Sequence, residues 1–159
     1  AVEFGAKYNR GVVGGKKFIE LIGLNTFNEG TRGISAIQYA QLLFRQKVTH
    51  CAGDAIYATN KSRRYCSSRL SPMYTSFVPK GRKAKDESQR SKMRSLLSKE
   101  RSTRLEGSFG TEKEHYNLRK IKARTPETEI LWILFGVHTA NVARLAAREQ
   151  KKQIYKKVA

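Results

Sequence analysis

A chain of 159 residues with 39% hydrophobic side chains is long enough to bury one core and too apolar to be disordered by composition, although its mean hydropathy is −0.59. Its 32 Lys and Arg against 13 Asp and Glu, a net charge of +19, repel one another in a compact fold unless a polyanion neutralises them, which points to nucleic acid or an acidic surface as partner. The apolar stretch at 130–137 is far short of the roughly 20 residues of a membrane span, no basic leader opens the sequence, and the two cysteines lack both a CxxC pair and a histidine at ligand spacing.

The charge is uneven. Residues 1–60 carry 7 basic and 4 acidic side chains, residues 61–125 carry 19 and 6, and residues 126–159 carry 6 and 3. The middle third is therefore expected to present the nucleic-acid surface. Reduced cysteines and an intracellular setting are expected, with no membrane partner.

In chain order, residues 6–13 and 16–24 flank Gly14-Gly15 and predict a β-hairpin, because a two-residue turn needs positive φ angles that glycine supplies. A loop rich in Asn and Gly follows to Gly33. Residues 34–46 place apolar side chains three and four apart and predict an amphipathic helix. The run from Val48 to Gly53 fits a short buried strand with Asp54 at its end. A short basic helix is expected within residues 58–67, and a further strand over 74–78, stopped at Pro79. Residues 80–104, dense in Lys, Arg and Ser, read as solvated and flexible before passing into a helix ahead of Glu106. Thr125 as N-cap, Pro126 at the first position and Glu127 in the first turn open a last helix, expected to run to about Gln150 and to end in a basic tail at 151–159. This order predicts an α/β fold with helices gathered towards the C-terminus.

Asp occurs at only two positions. Asp86 sits in a charge run and reads as a solvated side chain. Asp54 ends an apolar strand, where α/β sheets present functional groups, but a turn or capping role serves the residues equally well. Glu106 and Lys113 stand seven residues apart, two turns along one helix face, which suits either a metal ligand beside a phosphate contact or an ordinary solvated helix. Gly107 and Gly110 are costly in a helix and suggest a close approach to the backbone there.

Three stretches then resemble one family: Glu3-Phe-Gly-Ala-Lys7 with Phe27-Asn-Glu-Gly-Thr31; Ala52-Gly-Asp-Ala-Ile-Tyr-Ala-Thr-Asn-Lys61 with Phe77-Val-Pro-Lys-Gly81; and Arg104-Leu-Glu-Gly-Ser-Phe-Gly-Thr-Glu-Lys113 with Leu118-Arg-Lys-Ile-Lys-Ala-Arg124. They resemble, in the same order, the DDE transposases of bacterial insertion sequences, in the RNase H-like superfamily. The resemblance implies a partial RNase H-like fold, a mixed sheet flanked by helices, over residues 1–150. It implies Asp54 as the second and Glu106 as the third acidic residue of a triad holding Mg²⁺ or Mn²⁺. Lys113, Arg101, Arg104, Arg119, Lys120 and Lys122 are then contacts to DNA, both the element's terminal inverted repeats and the target. Lys99 stands where the family often has Tyr, so that extended signature is incomplete. The first Asp belongs on a strand ahead of the hairpin, so the chain is expected to be the C-terminal part of the catalytic domain, inactive alone, from a protein that is a homodimer at full length and works in the cytoplasm at the nucleoid. A non-catalytic basic DNA- or RNA-binding module explains the charge equally well, but not the Asp54 and Glu106 contexts. A membrane-surface role would need a basic amphipathic helix, whereas the most apolar helix is apolar nearly all round in its first half.

Overall fold

A computed structural model describes residues 5–68, 72–78 and 85–158. Among the described residues the chain is mixed α/β, mostly helical, with two small two-stranded sheets. Residues 3 and 4, and the strand stop at 79–81, lie outside the described residues.

The predicted hairpin forms: β1 (Lys7–Val13) pairs antiparallel with β2 (Lys16–Gly23), and Gly14 and Gly15 take φ of +57° and +81° in the turn. The register shifts between Asn9 and Arg10, a bulge that turns both side chains inward. Just after the bulge on the same strand, a Cβ at Gly11 would lie 2.3 Å from the Phe18 ring, so only glycine lets Phe18 fold across the strand. Phe18 packs on Tyr39 and Phe44 of α1 (Gly33–Phe44), with ring centroids 5.9 and 6.0 Å away. The helix stops where Arg45 adopts a left-handed φ of +50°.

β3 (His50–Cys51) and β4 (Tyr74–Thr75) pair in parallel and are joined through α2 (Asn60–Cys66), which Thr59 caps through Ser62. Both strands are shorter than expected, because among the described residues each has a single partner and only two residues of ladder. Ile37, Cys66 and Met73 form the core beneath this pair, with Val48, Cys51, Tyr65 and Phe77 packed around them.

The charge-rich segment after β4 is more ordered than its composition suggests. From Glu87 it is helical: α3 (Glu87–Glu100) runs through a widened π turn (Arg101–Leu105) into α4 (Glu106–His115). Arg90, Met93, Arg94 and Leu97, spaced three and four apart, form its half-buried face. Arg90 accounts for part of this order, lying 5.5 Å over the Tyr74 ring and pairing with Asp86 at 2.9 Å.

α5 (Pro126–Val158) runs past Gln150 through the basic tail, since Lys and Arg are good helix formers and their charge suits a helix C-terminus. It lies along the hairpin. Glu129 accepts from Ala6 N at 2.6 Å, Asn141 bonds both backbone groups of Lys17 at 2.8 and 2.7 Å, and Arg148 donates to the Gly14 carbonyl at 2.9 Å. The helical rise from residue 129 to 148, about 28 Å, matches the strand length from residue 6 to 14, about 27 Å. Ile133, Val137 and Ala140 are buried on this side. By length and composition alone Pro126–Ile154 could cross a membrane.

Candidate active site

Asp54 is placed by what surrounds its backbone. Ser76, just after β4, accepts from Gly53 N at 3.0 Å and donates to the Gly53 carbonyl at 2.8 Å, fixing the end of β3. Asp54 then caps a short 3₁₀ turn at Ala55–Tyr57, its Oδ1 accepting from Ala55 N at 2.6 Å, while the carboxylate remains exposed. The turn is tied to the hairpin by a relay: the Tyr57 hydroxyl donates to Asn9 Oδ1 at 2.7 Å, Asn9 Nδ2 donates to Glu20 Oε2 at 3.0 Å, and Arg32 pairs with Glu20. Burial above all, and then Glu29, Asp54 and Glu20, push the Tyr57 hydroxyl up to about 12, so it stays protonated and donating. Gly30 makes this approach possible, since a Cβ there would stand 2.6 Å from the Ile56 carbonyl.

Glu106 opens α4 immediately after the π turn. Such widened turns re-aim the side chains of a helix, and here the turn carries Arg101 and Arg104. Arg101 Nη2 lies 3.9 Å from Glu106 Oε1, and Arg104 Nε pairs with Glu100 at 2.6 Å. Six residues beyond Glu106, Glu112 points the other way and is buried, pairing with Arg10 and with Lys17 Nζ at 2.6 Å. Burial lowers the Arg10 pKa, and Glu112 opposes that shift. This buried cluster sets α4 against the hairpin and leaves Glu106 on the other side, towards solvent. Sequence reading missed it; the available signal was Arg10 two residues from both Tyr8 and Val12 within a predicted strand.

Asp54 and Glu106 line one groove of about 510 Å³, together with Arg101 and Arg104. Its walls include residues 9–15 of β1 and its turn on one side and 50–54 from β3 on the other. Among the described residues β1 pairs only with β2 and β3 only with β4, so each strand has a single partner.

Lys113, Arg119, Lys120 and Lys122 do not line the groove. Lys113 is exposed two turns along α4, and Arg119, paired with Glu114 at 3.2 Å, stands with Lys120 and Lys122 on the exposed segment beyond that helix. Gly107 and Gly110 have no described residue within 4 Å of where a Cβ would stand, so the close approach expected there is not made among the described residues. Asp86 is not a bare solvated side chain: its hydrogen bond from Arg90 holds its carboxyl below the usual range. Cys51 and Cys66 are free thiols, and burial, with Cys66 nearby, pushes Cys51 up to about 12. Among the described residues no three His, Cys, Asp or Glu side chains gather to hold a metal. The two carboxylates in the groove offer the hard oxygen donors that Mg²⁺ prefers, but only part of a full set.

Comparison with the profiles of known protein families, with curated proteins and with solved structures finds no match to this chain.

Proposed function

We propose that the chain is the C-terminal part of the catalytic domain of a DDE-type transposase, which cuts DNA at the ends of an insertion sequence and joins them to target DNA. The observation that carries this reading is that Asp54 and Glu106, on separate elements and far apart in sequence, line one groove with Arg101 and Arg104. Asp54 and Glu106 would hold Mg²⁺ or Mn²⁺, which supplies charge neutralisation at a phosphodiester and activation of the attacking hydroxyl. The chain's own cations do the rest of the electrostatic work. Arg101 and Arg104 bind phosphate at the rim, and Lys113, Arg119, Lys120 and Lys122 extend the positive surface along α4 and beyond it. The open space over Gly107 and Gly110 suits a DNA backbone approaching α4.

An RNase H-like sheet fits this reading. A strand seated between the free edges of β1 and β3 would join the hairpin and the parallel pair into one mixed sheet, and it is the strand on which the first Asp of the triad belongs. On this reading the triad is complete only with that Asp. The working protein is then a homodimer acting on DNA in the cytoplasm, at the nucleoid.

A non-catalytic basic nucleic-acid-binding module is the second reading, favoured by the absence of a third ligand among the described residues. The two separate in the protein extended by the upstream strand. Asp54→Asn and Glu106→Gln are expected to abolish Mg²⁺-dependent cleavage of insertion-sequence ends and to leave DNA binding intact. Cleavage retained in either variant removes the catalytic assignment and leaves the binding module.

A further inference from the structure

Helix α5 has two apolar faces and the fold uses one. Ile133, Val137 and Ala140 are buried against the hairpin. On the opposite side Leu131, Phe135, Val142 and Leu145 are 50, 69, 65 and 42% exposed. With His138, also exposed, they recur at alternating steps of four and three residues, the repeat of a two-helix seam. At 100° per residue the five positions fall within an arc of about 80°. Four large side chains left in water on one stripe mark an interaction surface.

We propose that this stripe pairs with the same stripe of a second copy of the chain, the two α5 helices running antiparallel. The repeat is self-complementary: in opposite polarity Phe135 faces His138 of the second copy and Leu131 faces Val142, twice over by symmetry. Charge selects the polarity. A parallel pair would set Glu149 on Glu149 and Lys152 on Lys152 along the seam. The antiparallel pair sets Glu127, at one flank of the N-terminal end, beside Arg148 of the second copy, and brings Arg124, just ahead of α5, to the end where Glu149 stands. Arg148 donates to the Gly14 carbonyl through one nitrogen, and a guanidinium has further donors for a carboxylate. His138 in the seam gives register at some cost in affinity, as single polar residues do in helix pairs. The inference gives the homodimer of the transposase reading an interface and in that respect rests on it; because it uses no residue of the groove, its failure would leave the groove assignment standing.

Sedimentation equilibrium of the purified 159-residue protein, in buffer without nucleic acid, tests it. A reversible dimer is expected. Phe135→Glu and Val142→Glu should each weaken it by about tenfold or more, with an unchanged helical circular-dichroism spectrum, since both positions are exposed. His138→Leu should tighten it. Polarity is read by oxidative cross-linking, Cys51 and Cys66 being half-buried and buried. Leu131→Cys together with Val142→Cys should give a disulfide-linked dimer, and Leu131→Cys alone should not. A chain that is monomeric at all concentrations, or a dimer indifferent to both glutamate substitutions, overturns the proposal. So does a monomer that floats with phosphatidylcholine–phosphatidylglycerol vesicles and loses them on Phe135→Glu, which would make the stripe a membrane contact. Efficient self-linking of Leu131→Cys overturns the antiparallel polarity.

Discussion

Glu112 is the residue on which the position of α4 turns. Its side chain and those of Arg10 and Lys17 are almost wholly buried, so one carboxylate serves two cations taken out of water. Such a cluster adds little net stability, because desolvation offsets most of the attraction, but removing one member leaves charge without compensation. Glu112→Gln is expected to cost about 3–5 kcal/mol, read as a lower denaturant midpoint. Glu106→Gln, at an exposed position, should change stability by less than about 0.5 kcal/mol. Equal losses in the two variants would show that Glu112 does not anchor the helix. Glu106 and Glu112 look alike in sequence, both in a polar, glycine-containing stretch. Only the buried pairing with Arg10 and Lys17 separates the anchor from the candidate ligand.

Between elements, the relay from Tyr57 through Asn9 and Glu20 to Arg32 joins the Asp54 turn to the hairpin. A phenol whose pKa is raised in the fold contributes stability that is fully present below its unfolded value and is lost as pH rises through its folded value. For Tyr57 that window runs from pH 10.0 to about 12. Alkaline titration followed by circular dichroism should show the protein losing stability across this range. Tyr57→Phe should flatten that loss, at the cost of lower stability at neutral pH; an unchanged alkaline profile would discount the relay. The hairpin, α1, α2 and the start of α5 were legible in sequence because glycine pairs, three-four spacing and capping residues act within a few residues. α3 was not. Its order comes from Arg90 stacking on Tyr74 and from a half-buried face turned towards β4, contacts that composition does not encode.

For the molecule as a whole, charge and incomplete burial go together. Eight apolar side chains form the buried core among the described residues, while α5 keeps an apolar stripe in water and β1 and β3 each pair with a single strand. The partners proposed above each answer one of these features: a polyanion the charge, a strand the groove, a second α5 the stripe. Binding to duplex DNA is expected to weaken steeply with salt, the slope of log affinity against log salt being about −0.9 for each phosphate contacted. Arg101→Ala and Arg104→Ala should each reduce that slope by about one if each holds a phosphate, and an unchanged slope would remove them from the interface.

Composition by itself settled the large excess of positive charge and its concentration in the middle third of the chain. Local pattern settled the hairpin and most helices, because these depend on neighbours in sequence. That Asp54 and Glu106 share a groove was decided only in three dimensions. It rests on the Tyr57 relay and the buried Glu112 cluster, which bring residues about fifty and a hundred positions apart into contact. No local rule measures such distances, since the desolvation and pairing that stabilise them exist only once the hairpin, the Asp54 turn and α4 have packed together.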